Sequence, residues 1–149
     1  MPGLAMHRHF GRRFRAAAGA GALGLVLLVG CDKPAPGVTI VSQGQSVRAE
    51  AARYTFNGKA RTYSRPNVTL SVREGAVLGI DVDKQVADAG WAVKVGDQQV
   101  TDVLKDKHHT TVTVPPLGTS GAATLVVGEV PRAGQEASGL WIFTLRRRS

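Results

Sequence analysis

The chain has a single cysteine, Cys31. A lone cysteine excludes an intramolecular disulfide and a metal site built from several cysteines, although secreted domains often carry disulfides. The sequence also lacks the glycine-rich loop that cradles phosphates and the Gly-x-Ser-x-Gly elbow of α/β-hydrolases. These absences remove the commonest nucleotide-binding and hydrolytic sites from consideration.

Acidic residues are missing from the beginning of the chain, where the first one is Asp32. Residues 1–15 contain four arginines, and residues 16–30 contain no charged side chain. An apolar run of this length matches a signal peptide and is shorter than the about 20 residues that a spanning helix needs. The pattern therefore predicts an export signal, with an uncleaved membrane anchor as the alternative.

The apolar run ends in Leu28, Val29, Gly30 and Cys31. We interpret these four residues as a lipobox, in which a signal peptidase cuts before Cys31 and the Cys31 thiol carries a diacylglycerol. The pair Arg12-Arg13 raises the alternative of twin-arginine export. General secretion is preferred because Phe14 follows the pair directly and no serine precedes it.

Cleavage before Cys31 divides the chain into a signal peptide over residues 1–30, a lipidated tether over 31–37 and one domain over 38–149. Removal of four of the 19 basic residues leaves 15 against 11 acidic ones. A domain this close to charge balance lacks the concentrated basic face of a nucleic-acid-binding protein, so no nucleic-acid partner is predicted. The run Arg146 to Arg148 is the exception, and it could touch anionic lipid headgroups or be a solvated chain end.

Residues 38–149 alternate apolar and polar side chains over many short segments. The segments are separated by Gly, Pro, Asn and Asp, and no long helical pattern occurs. Among the separators, Asn57-Gly58 predicts a two-residue hairpin turn. This spacing predicts an all-β fold, an immunoglobulin-like antiparallel β-sandwich of about eight strands, with a barrel as the alternative. We expect Trp91 at the centre of the core, with Trp141 and Phe143 opposite it.

Candidate sites for chemistry are few. The pair His108-His109, with Asp102 and Asp106 nearby, could form part of a metal site in a loop, but no further His or Cys completes a set of ligands. Other weak candidates are an acidic group that lacks the calcium-loop spacing and a serine in a flexible turn, namely Asp81, Asp83, Asp88 and Ser120. No cofactor and no catalytic residue are predicted.

The chain resembles a family of small actinobacterial lipoproteins known as a domain of unknown function. The resemblance rests on several segments spread over the chain after residue 30, namely Cys31-Asp32-Lys33-Pro34, residues 79–83, 86–88 and 90–91, and Gly139-Leu140-Trp141-Ile142-Phe143-Thr144-Leu145. It implies an exported, lipid-anchored β domain without assigned activity.

Together these patterns predict a non-enzymatic lipoprotein held at the outer face of the cytoplasmic membrane through the lipid on Cys31. Its partner would be an envelope protein, an envelope polymer or another ligand. The alternative is a small envelope enzyme or metal-binding protein that uses the His108-His109 loop.

Overall fold

The computed structural model describes residues 34–64, 67–130 and 136–149. The predicted signal peptide, the lipobox residues Leu28, Val29 and Gly30, and Cys31 lie outside the described residues. Residues Lys33–Ser149 form one compact unit.

The described chain folds into eleven strands and one short helix. The four-stranded sheet contains β1 (Gly37–Ser42), β2 (Gln45–Glu50), β6 (Val77–Val82) and β9 (His109–Thr113), in the order β2-β1-β6-β9. The seven-stranded sheet contains β3 (Arg53–Phe56), β4 (Lys59–Thr62), β5 (Val68–Val72), β7 (Trp91–Val95), β8 (Gln98–Gln99), β10 (Ala122–Glu129) and β11 (Gly139–Arg147). Helix α1 (Lys84–Ala89) joins β6 to β7.

The predicted all-β sandwich is confirmed, with differences in detail. The strands number eleven because the run that the sequence pattern joins into one strand divides into β2 and β3, and because β4 follows β3 in a short hairpin. The Asn57-Gly58 turn is confirmed as the connection between β3 and β4, and both of its residues have positive φ, 47° and 75°. Such φ values are those of the two-residue hairpin turns that favour Asn-Gly.

Strand β11 organises the seven-stranded sheet. One of its edges pairs with β10 over eight residues, from Gly139↔Glu129 to Arg146↔Ala122. Its other edge is shared, because β3 pairs antiparallel at Gly139 and Leu140 and β5 pairs parallel from Phe143 to Arg147. The parallel β5–β11 pair is a departure from the wholly antiparallel sandwich that the sequence predicts.

One hydrophobic core lies between the sheets. Alternate residues of the longer strands point inward, and Ile40, Leu78 and Ile80 of the four-stranded sheet are fully buried. Trp91, Trp141 and Phe143 are buried as predicted, but their expected arrangement on opposite sides is wrong. Trp91 lies on β7, and Trp141 and Phe143 lie on β11. Both strands pair with β10, so all three residues belong to the seven-stranded sheet.

The folded domain begins before residue 38, the start that the sequence indicated. Pro36 and Gly37 are buried, and Gly37 is the first residue of β1. The last two residues of the predicted tether therefore belong to the sandwich. Every residue of the core cluster and of the apolar side chains packed against it lies between Ala35 and Leu145, so residues 32–149 contain a complete core.

Substitution of Gly139 tests the packing at the start of β11. A Cβ at this position would lie 2.7 Å from Cη2 of Trp141 and 2.8 Å from Cδ2 of Tyr54, both in buried rings. We expect Gly139→Ala to lower the free energy of unfolding of residues 32–149 by about 1–3 kcal/mol, measured by urea denaturation.

Gly128→Ala is the matched control, because its Cβ would meet no atom closer than 3.5 Å. That variant should stay within about 1 kcal/mol of the wild type. Equal losses of stability in the two variants would contradict the close packing at Gly139.

Candidate functional site

The residues at the start of β1 are held by side chains from β2, from β11 and from the residue between β6 and α1. The indole Nε1 of Trp141 donates a buried hydrogen bond of 2.8 Å to the carbonyl of Pro36. The Gly37 N–H donates to Oδ2 of Asp83 at 2.7 Å, and the Arg48 guanidinium donates to both oxygens of the same carboxylate. We call Pro36, Gly37, Arg48, Asp83 and Trp141 the entry clamp.

The electrostatics of the entry clamp keep Asp83 charged. Burial raises the pKa of this carboxyl, but the Gly37 N–H and the Arg48 guanidinium together lower it more, so that the net pKa lies below its usual range. Both side chains of the Arg48–Asp83 pair are about half exposed, so the ion pair by itself contributes little. The hydrogen bonds fix where the chain enters the sandwich.

Helix α1 follows the clamp directly and closes this end of the sandwich. Its apolar residues Val86 and Ala87 are fully buried, while Lys84 and Asp88 form an exposed i,i+4 ion pair. The predicted acidic group of Asp81, Asp83 and Asp88 is thus divided among three different partners. Asp83 binds Arg48 and Gly37, Asp88 binds Lys84, and Asp81 binds His109.

Glu129 is the buried acidic residue of the described chain, and it has two hydroxyl donors. Tyr54 Oη donates to Oε2 at 3.1 Å and Ser138 Oγ donates to Oε1 at 2.6 Å. Gln85 Nε2 of α1 in turn donates to Tyr54 Oη at 2.7 Å. We call Tyr54, Gln85, Glu129 and Ser138 the polar cluster.

The polar cluster raises the pKa of Tyr54 to about 12, first by burial and then by the neighbouring charge and hydrogen bond of Glu129. Four hydrogen-bonded side chains from β3, α1, β10 and the segment before β11 join separate parts of the fold. Sequence reasoning missed this cluster, because Glu129 ends an apolar run and Tyr54 lies 75 residues away. The only signal in the sequence was that Glu129 falls at an alternate position with Leu125 and Val127, whose side chains point inward from β10.

The predicted metal candidates His108 and His109 make different contacts. His109 is the first residue of β9 and not part of the polar loop that the sequence indicated. Its Nδ1 lies 2.9 Å from Oδ1 of Asp81, and both side chains are about half exposed. The backbone carbonyl of His108 accepts a hydrogen bond from the Val82 N–H, and His108 is exposed.

No three His, Cys, Asp or Glu side chains come together as a metal site within the described residues. Asp102 and Asp106, the acids considered with the histidines, are exposed in the loop before β9. Ser120 lies in the turn before β10, where its hydroxyl is 3.3 Å from the Leu117 carbonyl and 3.1 Å from the Ala122 carbonyl. This environment suits a turn-stabilising hydroxyl and not an activated nucleophile.

Two shallow pockets lie beside the strands. The larger, of about 660 Å³, covers the outer face of β7, β10 and β11 over an apolar floor that includes Ala92, Val126 and Leu140. The other, of about 350 Å³, lies beside β2 and the beginning of β5, and Arg48, Glu50 and Ile142 are among its lining residues. Apolar floors with a few polar rim residues are the usual lining of sites that bind a small molecule.

In the part of the chain that the structure describes, none of the helices has the length and apolar character to cross a bilayer. Comparisons of the chain with protein-family models, curated proteins and solved structures found no match. The resemblance to the actinobacterial lipoprotein family therefore stays a prediction.

The tyrosine of the polar cluster provides a spectroscopic test. We expect a pH titration of tyrosine absorbance to show one group with a pKa of about 12 in the wild-type domain, which Tyr54→Phe removes. The raised pKa means that the folded domain favours the neutral Tyr54 phenol. The contribution of this phenol to the stability of the fold is therefore complete below about pH 10 and is lost as the pH rises through the folded pKa.

The same variant tests the hydrogen bonds. Tyr54→Phe leaves Oε2 of Glu129 without its donor and should lower the free energy of unfolding at pH 7 by about 1–3 kcal/mol. A wild-type domain whose tyrosines all titrate near pH 10 while it is still folded by circular dichroism would contradict the polar cluster.

Proposed function

We propose that this protein is an exported lipoprotein whose β-sandwich is held at the outer face of the cytoplasmic membrane by a diacylglycerol on Cys31. The observation that carries the proposal is the order of features along the chain. An arginine-containing segment, a short apolar run and a lipobox are followed, from Pro36 onward, by a sandwich with its own core.

The energetics of the anchor favour permanent attachment. Each buried methylene contributes about 0.8 kcal/mol, and a single acyl chain binds a bilayer only marginally. Two chains on one glyceryl group therefore hold a small domain firmly. Between Cys31 and Pro36 the chain can extend by at most about 18 Å, so the entry clamp would stay close to the bilayer.

The sandwich itself is proposed to be a non-enzymatic binding or structural module for an envelope protein or polymer. Support comes from the use of its acidic side chains. Asp83 and Glu129 hold the chain entry and the polar cluster, and Glu74 binds the Leu117 N–H and Arg147. These carboxylates bind backbone and side-chain groups of the domain, as is typical of residues that stabilise a fold.

A metal-binding role is the second candidate, and the His109–Asp81 contact is the observation that favours it. A carboxylate bound to one ring nitrogen orients the imidazole and leaves the other nitrogen available, as in many metal sites. The ring also lies over Gly79, where a Cβ would be 3.2 Å from Cε1 of His109. One oriented imidazole is nonetheless short of the three or four ligands that zinc takes.

Replacement of the lipobox cysteine tests the anchor. In cells that express the full chain, Cys31→Ser should leave the membrane fraction or accumulate uncut, because the thiol that accepts the lipid is gone. Fractionation followed by intact-mass measurement checks this outcome. Ser46→Ala, an exposed hydroxyl on β2, is the control and should remain in the membrane. Retention of Cys31→Ser in the membrane at the wild-type mass would overturn the anchor.

Metal analysis separates the two candidate functions. For a non-enzymatic module we expect purified residues 32–149, dialysed against a weak chelator, to retain no stoichiometric zinc, copper or nickel. Retention of about one metal ion per chain, lost in His108→Ala/His109→Ala and kept in Lys105→Ala/Lys107→Ala, would favour the metal-binding protein instead.

A further inference from the structure

Three arginines converge at the end of the β5–β11 pair. Beyond the last paired residues, Arg147↔Val72, the Arg148 N–H donates to the Val72 carbonyl at 2.8 Å. In a parallel ladder this bond places Arg148 beside Arg73. Arg146 pairs with Ser71 and is therefore diagonal to Arg73. We call Arg73, Arg146 and Arg148 the arginine cluster.

Within the described chain, no member of the arginine cluster forms an ion pair or a side-chain hydrogen bond. All three are exposed. Their neighbour Arg147 differs, because its guanidinium binds both Glu74 and the Gly118 carbonyl. Glu74 is thus already engaged.

The arrangement is unfavourable in the isolated domain. Like charges directly opposite on neighbouring strands destabilise a sheet, and long side chains at diagonal positions are still within reach of one another. An anion that spans the cluster would remove this repulsion. Three guanidinium groups also offer paired N–H donors that match phosphate oxygens better than an ammonium does.

The cluster lies at the opposite end of β11 from the entry clamp. Arg146 lies five residues beyond Trp141 of the clamp, a length of about 17 Å along β11. That length exceeds the screening distance of about 8 Å at physiological salt. With the domain held through Pro36 as proposed, the cluster would lie beyond the screening distance from the clamp, which favours an envelope polymer over the headgroups as its source of phosphate.

We propose that the arginine cluster binds an anionic envelope polymer with repeating phosphodiester groups. The proposal rests on the proposed display of the domain outside the membrane, and it names the chemistry of the partner. Successive phosphates of one polymer would contact neighbouring arginines, and release of counterions from the polymer would drive the association.

Binding of long-chain polyphosphate to residues 32–149 tests the proposal. The wild type should bind in low salt, and Arg73→Gln/Arg146→Gln/Arg148→Gln should bind roughly 100-fold more weakly, since each contact contributes about fivefold. The slope of log affinity against log salt should become shallower by about two to three. The triple variant should unfold at the same or a higher temperature than the wild type in low salt, which shows that its fold is intact.

Lys59→Gln/Lys105→Gln/Lys107→Gln is the matched control, because it removes the same charge from exposed residues outside the cluster. It should retain most of the affinity. Equal losses in the two triple variants would show that net charge alone attracts the polymer and would overturn the proposal.

Phosphatidylglycerol vesicles distinguish the other source of phosphate. Binding of the wild-type domain to vesicles more tightly than to polyphosphate, with loss in the arginine variant, would overturn the polymer in favour of the membrane. Because residues 32–149 carry no lipid, these results are independent of Cys31 acylation. A negative result for polyphosphate binding would therefore not contradict the lipid anchor. A negative result in the fractionation of Cys31→Ser would likewise not contradict polyphosphate binding.

Discussion

The burial of Trp141 is the interaction on which the rest of the sandwich depends. Its ring packs in the core from the middle strand β11, and its indole nitrogen donates to the Pro36 carbonyl. An indole N–H in an apolar core needs an acceptor, and the chain entering β1 supplies it. The same residue therefore links the hydrophobic core to the point at which the domain begins.

Two sets of polar side chains complete the end of the sandwich near Trp141. The entry clamp holds Gly37 through Asp83 and Arg48, and the polar cluster satisfies the buried Glu129 with two hydroxyl groups. Buried polar groups without partners are costly. Because these groups are satisfied by residues from different strands, they lock the relative positions of β1, β3, α1 and β10.

The opposite end of β11 has a different character. Leu145 is fully buried, whereas the arginines that follow it are exposed and, apart from Arg147, have no acidic partner in the described residues. The sandwich is thus polarised along its strands. One end is hydrogen-bonded to the incoming chain, and the other presents positive charge at a distance of about one strand length.

Local sequence determined much of this protein. Alternation in segments such as Val68-Thr69-Leu70-Ser71-Val72 predicted strands and their inward faces, because a strand exposes successive side chains on opposite sides. Asn57-Gly58 predicted its turn, because few other residue pairs adopt positive φ at two successive positions. The candidate anchor likewise depends on contiguous residues, from the arginines to Cys31, and it stays a prediction.

Only the tertiary structure decided which strands are neighbours. The parallel β5–β11 pair, the placement of Trp91 and Trp141 on one sheet, and the contacts of Glu129 with Tyr54 and of His109 with Asp81 join residues far apart in the chain. Periodicity reports which face of a strand is buried but carries no information on its partner. Register and pairing arise from packing of the whole core, so the polar cluster, and the position of Arg73 beside Arg146 and Arg148, became visible only in the folded chain.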